Sequence, residues 1–447
     1  MKKVVFYCSG RNETAPLEID GVHFYPDRAS MWKELAGNHP DVSFSVYLPK
    51  TGEFIADMGG KITHASKRIS YTFLSGNESV EEIAERIAAE CPDAAVAFSI
   101  PILPYDWSSL RDAMVGEELR KRGIKTVAPS VKFALDSFEK NRLSDFLRRN
   151  GFHVAQNVLV QNALYHAQVL IPTIPQNVYR EYVLRQIKNL HFPVIMKPTV
   201  FSGSDGRQII SDYEEIAEKL DKWNLNSDIL IEEQIIGVNF GIEIYGDSGI
   251  YHVMDPVIFS AKKEGVTDPV TSIKVGPVMN EKYHVDYLKN EMLRMAKLCE
   301  LSGIAQVDLI FSEGEWYIVE VNTRYTLMSE ITALIQNKSV PDLLAEPLMD
   351  KRDITDKKEK QFACDFKTEL LDEEEINRLR EKYSCIASVM RLQTAVTGIG
   401  LVEYCEFVVV AKSKEELVNE MQKIREENCN LVEEEICKNL VLLLSEI

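Results

Sequence analysis

The sequence predicts a protein of the α/β class, and three observations support this. Apolar runs with the length of strands alternate with segments of helical period along the first 130 residues. The 447 residues amount to about three average domains, enough for several hydrophobic cores. No repeat or low-complexity linker separates the units. We therefore predict several α/β units that pack together as one body.

Composition excludes several classes of protein. Hydrophobic residues make up 45% of the chain and charged residues 27%, which is typical of globular proteins. The formal net charge of −18 repels polyanions, so neither nucleic acid nor a membrane surface is a predicted partner. Apolar runs such as 405–411 are far shorter than the roughly 20 residues of a membrane-spanning helix. The apolar segment at 4–8 is too short for a secretory signal, so we predict a cytoplasmic location.

The first predicted domain comprises residues 1–130 and resembles an open, mostly parallel sheet with crossover helices. Ser79 begins its clearest helix, and Glu82 completes a capping box. The first strand is not followed by Gly-x-Gly-x-x-Gly, so we interpret the domain as a scaffold. The predicted strands are 4–7, 42–48, 94–100 and 124–127.

A second region, residues 131–350, carries the residues with chemical potential. We predict one helix from Ala134 to Asn150 and a second that is capped at Ser211 with Glu214 at the box position. Residues 351–447 form a final predicted α+β domain. The remaining predicted elements of the second region are strands at 193–197, 208–210, 229–232 and 240–245, a helix at 287–301 and a hairpin at 305–322.

A strand that ends at Lys197 leads into a loop of small residues. Ser202, Gly203, Ser204 and Gly206 leave their backbone N–H groups free to surround the oxygens of an anion such as phosphate. Lys197 would add a point charge. An ordinary surface loop remains an alternative. Lys140 is ambiguous for a related reason, since a lysine can lay its stem on a core and still reach water.

Two further segments follow along the chain. An apolar strand stops at Glu232 and Glu233 and resumes at Ile235, so its end could offer backbone groups to the edge of a planar base. A strand that simply leaves the core is the alternative. Lys262 begins a polar stretch, 261–275, that could cover a substrate or be a solvated loop.

The most specific pattern is the hairpin at 307–324. A two-residue Glu313-Gly314 loop would place Asp308 and Glu320 on opposite faces, whereas a three-residue loop or a bulge at Gly314 would place them opposite each other. Asn322 would then share their face. Two buried carboxylates and an amide oxygen suit a hard cation such as Mg²⁺. The alternative is one buried acid in a structural salt bridge with Arg324.

These motifs, in this order over 136–327, resemble those of the ATP-grasp superfamily. The resemblance implies a pre-ATP-grasp domain at 1–130, a core of two subdomains at 131–350, and a small C-terminal domain. Within the core it implies a helical linker at 131–190, a lid at 191–237 and a metal-binding subdomain at 238–350. It further implies that ATP is bound by Lys140, Lys197, Ser202, Gly203, Ser204, Gly206, Glu232, Glu233, Ile235, Asn239 and Lys262.

The same resemblance assigns Mg²⁺ or Mn²⁺ to Asp308, Glu320 and Asn322, and stabilisation of the reacting oxyanion to Arg324. The sequence departs from the patterns of this superfamily at two places. Asn239 replaces a common acidic ribose ligand, and residues 325–328 match neither biotin carboxylase nor the D-alanine-D-alanine ligases. The implied function is therefore that of a carboxylate-amine or carboxylate-thiol ligase that forms an acylphosphate and releases ADP and phosphate.

The implied partners are small carboxylates and amines, with amino acids as the favoured class, and a homodimer is compatible with the sequence. An ATP-grasp carboxylase or small-metabolite kinase is the alternative function, because Glu-Val-Asn-Thr-Arg at 320–324 resembles the biotin carboxylase and carbamoyl phosphate synthetase pattern. A non-catalytic nucleotide-binding module is the third.

Overall fold

The computed structural model describes residues 1–9, 21–49, 67–98, 107–199, 207–223, 227–260, 272–348, 360–396 and 400–447. Within these ranges the strands are β1 Lys2–Tyr7, β2 Gly21–Tyr25, β3 Val42–Pro49, β4 Ile69–Leu74, β5 Ala94–Ala97, β6 Lys125–Val127, β7 Asn157–Val160, β8 Val194–Pro198, β9 Gln208–Ile210, β10 Ile229–Glu233, β11 Val238–Asp247, β12 Ile250–Val253, β13 Val257–Phe259, β14 Lys274–Gly276, β15 Gly303–Ser312, β16 Glu315–Asn322, β17 Phe362–Thr368, β18 Ile386–Val396 and β19 Gly400–Ala411.

The α-helices of the described ranges are α1 Arg28–Asn38, α2 Val80–Ala89, α3 Ser108–Lys121, α4 Val131–Phe138, α5 Lys140–Arg149, α6 Asn162–Tyr165, α7 Ala167–Leu170, α8 Val178–Ile187, α9 Tyr213–Asp221, α10 Val285–Leu298, α11 Met328–Ile335, α12 Val340–Ala345, α13 Glu373–Lys382, α14 Lys414–Glu427 and α15 Glu434–Glu446. None of the described helices combines the length and the apolar character that crossing a membrane requires.

The N-terminal sheet confirms the predicted parallel α/β architecture. Its five strands run in the order β4-β3-β1-β5-β6, and every pair is parallel. Alternate residues of β1 enter two different cores: Val4 and Phe6 pack on one side of the sheet, and Val5 and Tyr7 on the other. Burial on both faces explains why this strand is continuously apolar. The capping box of Ser79 and Glu82 is present at the start of α2.

The central part of the chain forms two antiparallel sheets. A four-stranded sheet has the order β7-β10-β8-β9 and encloses its own core. A ten-stranded sheet has the order β16-β15-β11-β13-β14-β17-β19-β18-β2, with β12 paired to β11. The larger sheet is continuous from the hairpin β15–β16 into the final region of the chain, so β14 pairs directly with β17. The predicted domain boundaries stay predictions.

Three features differ from the sequence-based expectations. The predicted helix 134–150 is broken at Glu139, whose extended backbone (φ −91°, ψ 101°) separates α4 from α5. The helix predicted to be capped by Ser211 is capped by Asp212, which accepts a hydrogen bond from the N–H of Glu215. Strand β2, from the N-terminal region, was not predicted and pairs with β18 instead of the parallel sheet. Hydrophobic periodicity does not indicate which side chain caps a helix. It also does not indicate that β2 pairs with a strand more than 360 residues away.

Candidate functional site

The hairpin β15–β16 is closed by a tight two-residue turn. Ser312 pairs with Glu315, and the two turn residues, Glu313 and Gly314, have positive φ angles of 52° and 87°. Two consecutive positive φ angles are characteristic of the type I′ turn, whose twist matches that of the flanking strands. The loop is therefore the two-residue form, which by itself would separate the two acids.

A bulge in β16 reverses that consequence. The pairing runs regularly to Leu309 opposite Ile318 and then shifts, so that Asp308 is opposite Glu320 and Val319 is the extra residue. The sequence analysis had considered a bulge at Gly314, and the extra residue lies five positions further along the chain. Because directly opposite residues share a face, both carboxylates point to the same side of the sheet.

A chain of hydrogen bonds orders the next row of side chains on this face. The Gln306 amide donates to Asp308 Oδ1 at 2.7 Å, and the Asn322 amide donates to Gln306 Oε1 at 2.8 Å. Arg324 donates to Asn322 Oδ1 at 3.3 Å. The amide oxygen of Asn322 is thus directed away from Gln306. Sequence analysis missed Gln306, although its position two residues before Asp308 on an alternating strand places it on the same face.

Lys140 reaches this group of acids because of the helix break at Glu139. The break makes Lys140 the first residue of α5, and its backbone N–H donates to the Thr199 carbonyl at 3.4 Å. Its ammonium lies 3.3 Å from Glu320 Oε1. Burial would raise the pKa of Glu320, but Lys140, Lys197 and Arg324 outweigh burial and lower it.

Asp308 is the more perturbed of the two acids. Burial, followed by the charge of Glu320, raises the pKa of Asp308 to about 7, although its bond from Gln306 and the charge of Arg324 oppose the shift. Two partly buried carboxylates that face each other disfavour each other's ionised form. A positive ion between them would remove that repulsion, so the donor set of two carboxylates and one amide oxygen fits a hard divalent cation.

Lys197 and Glu232 form a second ion pair, on the four-stranded sheet. Lys197 pairs with Leu230 across β8 and β10, which makes Glu232, two residues further on, a diagonal neighbour on the same face. The Lys197 ammonium lies 2.5 Å from Glu232 Oε1, and both side chains are largely buried. The antiparallel register, and not sequence proximity, therefore joins these two predicted residues.

A cavity of about 210 Å³ connects the two ion pairs. Apolar side chains line one part of it, among them Leu143, Leu147, Ile195, Leu230, Ile235 and Ile318. Eight of the predicted residues contribute to its wall, namely Lys140, Lys197, Glu232, Glu233, Ile235, Asn239, Asp308 and Glu320. The cavity thus has an apolar part and a charged part, as a ligand with a planar base and phosphates would require.

Two predicted residues have partners that the sequence did not indicate. The Glu233 carboxylate accepts a hydrogen bond from the backbone N–H of His191 at 2.8 Å, which holds the end of β10 against the start of β8. Asn239, on β11, pairs with Ile310 on one side and Phe259 on the other. Five predicted residues lie outside the described ranges, namely Ser202, Gly203, Ser204, Gly206 and Lys262.

The segment that carries Arg324 is buried and held by the N-terminal region. Arg324 is 8% exposed and donates to the Tyr325 carbonyl at 3.1 Å. Ser109 Oγ donates to the Thr323 carbonyl at 2.9 Å. Arg28 donates to Glu330 at 2.9 Å, and Tyr325 donates to the same carboxylate oxygen at 2.6 Å. Sequence analysis missed this network, because it joins residues that are 214 and 302 positions apart in the chain.

Comparison with known proteins agrees with this architecture. Residues 166–345 match the family model described as the C-terminus of D-ala D-ala ligase. A carbamoyl-phosphate synthase of Methanobrevibacter smithii is 22% identical over 228 residues, which cover 50% of this chain and 56% of that protein. The C-terminal section of the carbamoyl phosphate synthase large chain of Aquifex aeolicus is 26% identical over 214 residues, with coverage of 42% and 37%. The chain thus spans little more than half, or less, of these curated relatives.

Solved structures share the fold at low identity. The biotin carboxylase of Campylobacter jejuni superposes with a TM-score of 0.63 at 13% identity, covering 96% of this chain and 91% of that one. The L-amino acid ligase of Bacillus licheniformis superposes with a TM-score of 0.62 at 13% identity, with coverage of 96% and 98%. Residues 166–345 therefore form an ATP-grasp domain of the D-ala D-ala ligase C-terminal type, and the described chain as a whole shares the fold of these solved structures.

Proposed function

We propose that the protein is an ATP-dependent ligase that joins a small carboxylate to an amine, with release of ADP and phosphate. One observation carries the proposal: Lys140, Lys197, Asp308 and Glu320, from four different elements, line one cavity together with an apolar pocket. The order of these residues along the chain supports the same assignment. The L-amino acid ligase with the same fold supports amino acids as the substrate class.

ATP would lie with its base in the apolar part of the cavity. Ile235 and Leu230 would pack on the base, while the Glu233 carbonyl and the Ile235 N–H would face its edge. Asn239, on the neighbouring strand, would hydrogen-bond a ribose hydroxyl. The phosphates would then extend towards Lys140 and Lys197, and the segment at 202–206, together with Lys262, would complete their binding.

Mg²⁺ or Mn²⁺ would be held by Asp308, Glu320 and Asn322, and would neutralise the charge that develops between the β and γ phosphates. Lys140 is placed to orient the phosphates, since its ammonium already lies beside Glu320. Gln306 would fix the orientation of both Asp308 and Asn322 through its two hydrogen bonds. The biotin carboxylase domain of Hydrogenobacter thermophilus, which has the same fold, was crystallised with MgADP.

The reaction would proceed in two displacements. A carboxylate oxygen of the first substrate attacks the γ phosphorus, and the bond to the β–γ bridging oxygen breaks. The products of this step are ADP and an acylphosphate. The neutral amine of the second substrate then attacks the acyl carbon, the bond from that carbon to the phosphate oxygen breaks, and phosphate leaves with the proton that the nitrogen loses as the amide forms. Arg324, already buried, would stabilise the oxyanion of the tetrahedral intermediate. No residue of the protein needs to form a covalent bond.

A carboxylase or small-metabolite kinase on the same fold is the second candidate. It is favoured by the similarity to carbamoyl phosphate synthases and to biotin carboxylase structures. A bicarbonate requirement, or a phosphorylated end product in place of free phosphate, would select it. ATP binding without turnover over a wide panel of acids and amines would instead indicate a non-catalytic nucleotide-binding module.

The test is a phosphate-release screen with amino acids taken in pairs, followed by mass spectrometry of each mixture that reacts. We expect ADP, phosphate and a dipeptide or related amide in equal amounts. In Glu320→Gln we expect ADP formation to fall by at least about 100-fold, because one of two anionic ligands is lost. Glu315→Gln, on the same strand but exposed, is the matched control. Full turnover by Glu320→Gln would refute the metal assignment.

A further inference from the structure

A second cavity, of about 280 Å³, shares none of its described lining residues with the nucleotide cavity. Five segments meet there: β12 with the residues that follow it, helix α10, the connection between α11 and α12, the end of α12 with Glu346, and Lys360 just before β17. We call it the basic cavity. The charged and polar residues that define it are His252, Asp255, Lys289, Gln336, Lys338, Glu346 and Lys360.

Positive charge exceeds negative charge in the basic cavity. Asp255, which is 5% exposed, accepts hydrogen bonds from Lys289 at 2.5 Å and from Lys360 at 2.6 Å. One carboxylate thus faces two ammonium groups. Lys338 and Glu346 form a separate ion pair at 2.5 Å. Among the described residues that line the cavity, three lysines against two carboxylates leave an excess of one positive charge, in a chain whose formal net charge is −18.

The lysines retain capacity for a further acceptor. An ammonium group has three N–H donors, and the bond to Asp255 uses one of them on Lys289 and one on Lys360. The Gln336 amide also points to this carboxylate, at 3.3 Å from its second oxygen. Donors from three elements therefore converge on one small volume, where an additional oxyanion could accept from several of them.

His252 provides an independent observation. Its Nε2 atom is buried and has no hydrogen-bond partner among the described residues, and burial, followed by the charge of Lys338, lowers the pKa of its imidazole. A buried polar atom without a partner costs free energy that a suitable ligand would recover. An acceptor in the cavity could bond an Nε2–H, while the lysines compensate its charge.

We propose that the basic cavity is a binding site for a small oxyanion with at least two negative charges, such as a phosphate group. The site differs from the nucleotide site in position and composition, and the proposal does not depend on the proposed ligase activity. The ligand would join α10, the end of α11 and the start of β17, so binding is expected to stabilise the junction between the ATP-grasp core and the final region.

The probe is inorganic pyrophosphate in metal-free buffer, measured by isothermal titration calorimetry at fixed ionic strength. Since the phosphate-binding residues proposed for ATP could bind the same probe, Lys197→Met serves to remove that contribution. In the Lys197→Met background we expect binding to persist and to weaken at least 10-fold on adding Lys360→Ala or Lys289→Ala. Lys33→Ala, an exposed lysine on α1, is the charge control and is expected to change nothing.

Citrate, tested in the same way, distinguishes a general oxyanion site from one that selects phosphate. Thermal melting without any anion will show whether each variant is folded, and His252→Gln provides a test that leaves every lysine in place. We expect His252→Gln to weaken pyrophosphate binding. The proposal is overturned if folded Lys360→Ala and Lys289→Ala variants bind pyrophosphate as the background does, or if Lys197→Met alone abolishes binding.

Discussion

Asp308 lies directly opposite Glu320 across the β15–β16 ladder, although the Glu313-Gly314 turn by itself would pair Asp308 with Val319. The one-residue bulge at Val319 makes the difference, because a shift of one residue moves a side chain to the other face of a sheet. The proposed metal site thus depends on one extra residue in one strand. The same register places Asn322 beside Gln306, in the next row of the same face.

Lys197→Met is expected to weaken ATP binding at least 10-fold. The substitution removes a cation from the cavity and leaves Glu232 with its negative charge near the proposed phosphate position, since the two side chains are 2.5 Å apart. Equilibrium binding of a fluorescent ATP analogue would measure the effect. Lys219→Met, on α9 of the same sheet unit and bonded to Gln208, is the control. Equal affinity of the two variants would contradict the assignment of Lys197.

Arg28→Met is expected to lower the free energy of unfolding by about 3 to 5 kcal/mol, the usual cost of leaving a buried charge unpaired. Arg28 is 5% exposed and bonds both Glu330 and Tyr325. Urea denaturation measures the loss. Arg122 follows the last residue of α3 and pairs with Glu118 at the protein surface. Arg122→Met breaks this exposed pair and should leave stability nearly unchanged. If the Arg28 and Arg122 variants are equally stable, the network of Arg28, Tyr325 and Glu330 is not stabilising.

Gly237→Ala is expected to destabilise the protein by about 1 to 3 kcal/mol, as overpacking usually does. A Cβ at this position would lie 2.3 Å from the Phe311 carbonyl oxygen, so the start of β11 would have to move away from β15. Gly37→Ala, in helix α1, is the matched control, since its Cβ would meet nothing within 4 Å. Alanine favours the helix, so this variant should be as stable as the parent or slightly more stable.

Unfolding curves of Gly237→Ala and Gly37→Ala, each compared with that of the parent protein, would measure the two changes in stability. A loss of stability in Gly37→Ala, or none in Gly237→Ala, would show that the close approach of β11 and β15 is not limiting. Because Gly237 follows Ile235 by two residues, Gly237→Ala is also expected to weaken nucleotide binding, whereas Gly37→Ala is not.

Asp365→Asn is expected to flatten the dependence of stability on pH. Asp365 and Glu406 both bond Lys274, at 2.8 and 2.7 Å. Burial, followed by the charge of Glu406, raises the pKa of Asp365 to about 8. The folded protein therefore holds a proton on Asp365 from about pH 4 to pH 8 that the unfolded chain, with a pKa of about 3.9, has released. This contribution to stability is complete below pH 4 and is lost as the pH rises through 8.

Asn does not titrate, so the decrease in the free energy of unfolding from pH 6 to pH 9 should be smaller in Asp365→Asn by about 2 to 3 kcal/mol. Urea denaturation at four pH values would measure it. Asp41→Asn, at an exposed aspartate, should keep the parent profile. A parallel profile for Asp365→Asn would show that Asp365 is ionised throughout this range.

Local patterns in the sequence were sufficient for much of the fold. The capping box of Ser79 and Glu82 and the apolar run of β1 depend on neighbours within a few residues, and both are present. The order of Lys140, Lys197, Asp308 and Glu320 was sufficient for the resemblance to ATP-grasp enzymes, because it follows the order of the strands and helices that present them. These features need no knowledge of which distant segments come together.

By itself, the sequence determined the alternation of helices and strands, the charged residues that line one cavity and their resemblance to the motifs of ATP-grasp enzymes. Only the tertiary structure decided that the bulge is at Val319, that a break at Glu139 directs Lys140 to Glu320, and that Arg28 secures the segment after Arg324. Register and long-range contacts are set by the packing of whole sheets against one another, and periodicity within one segment carries no information about that packing.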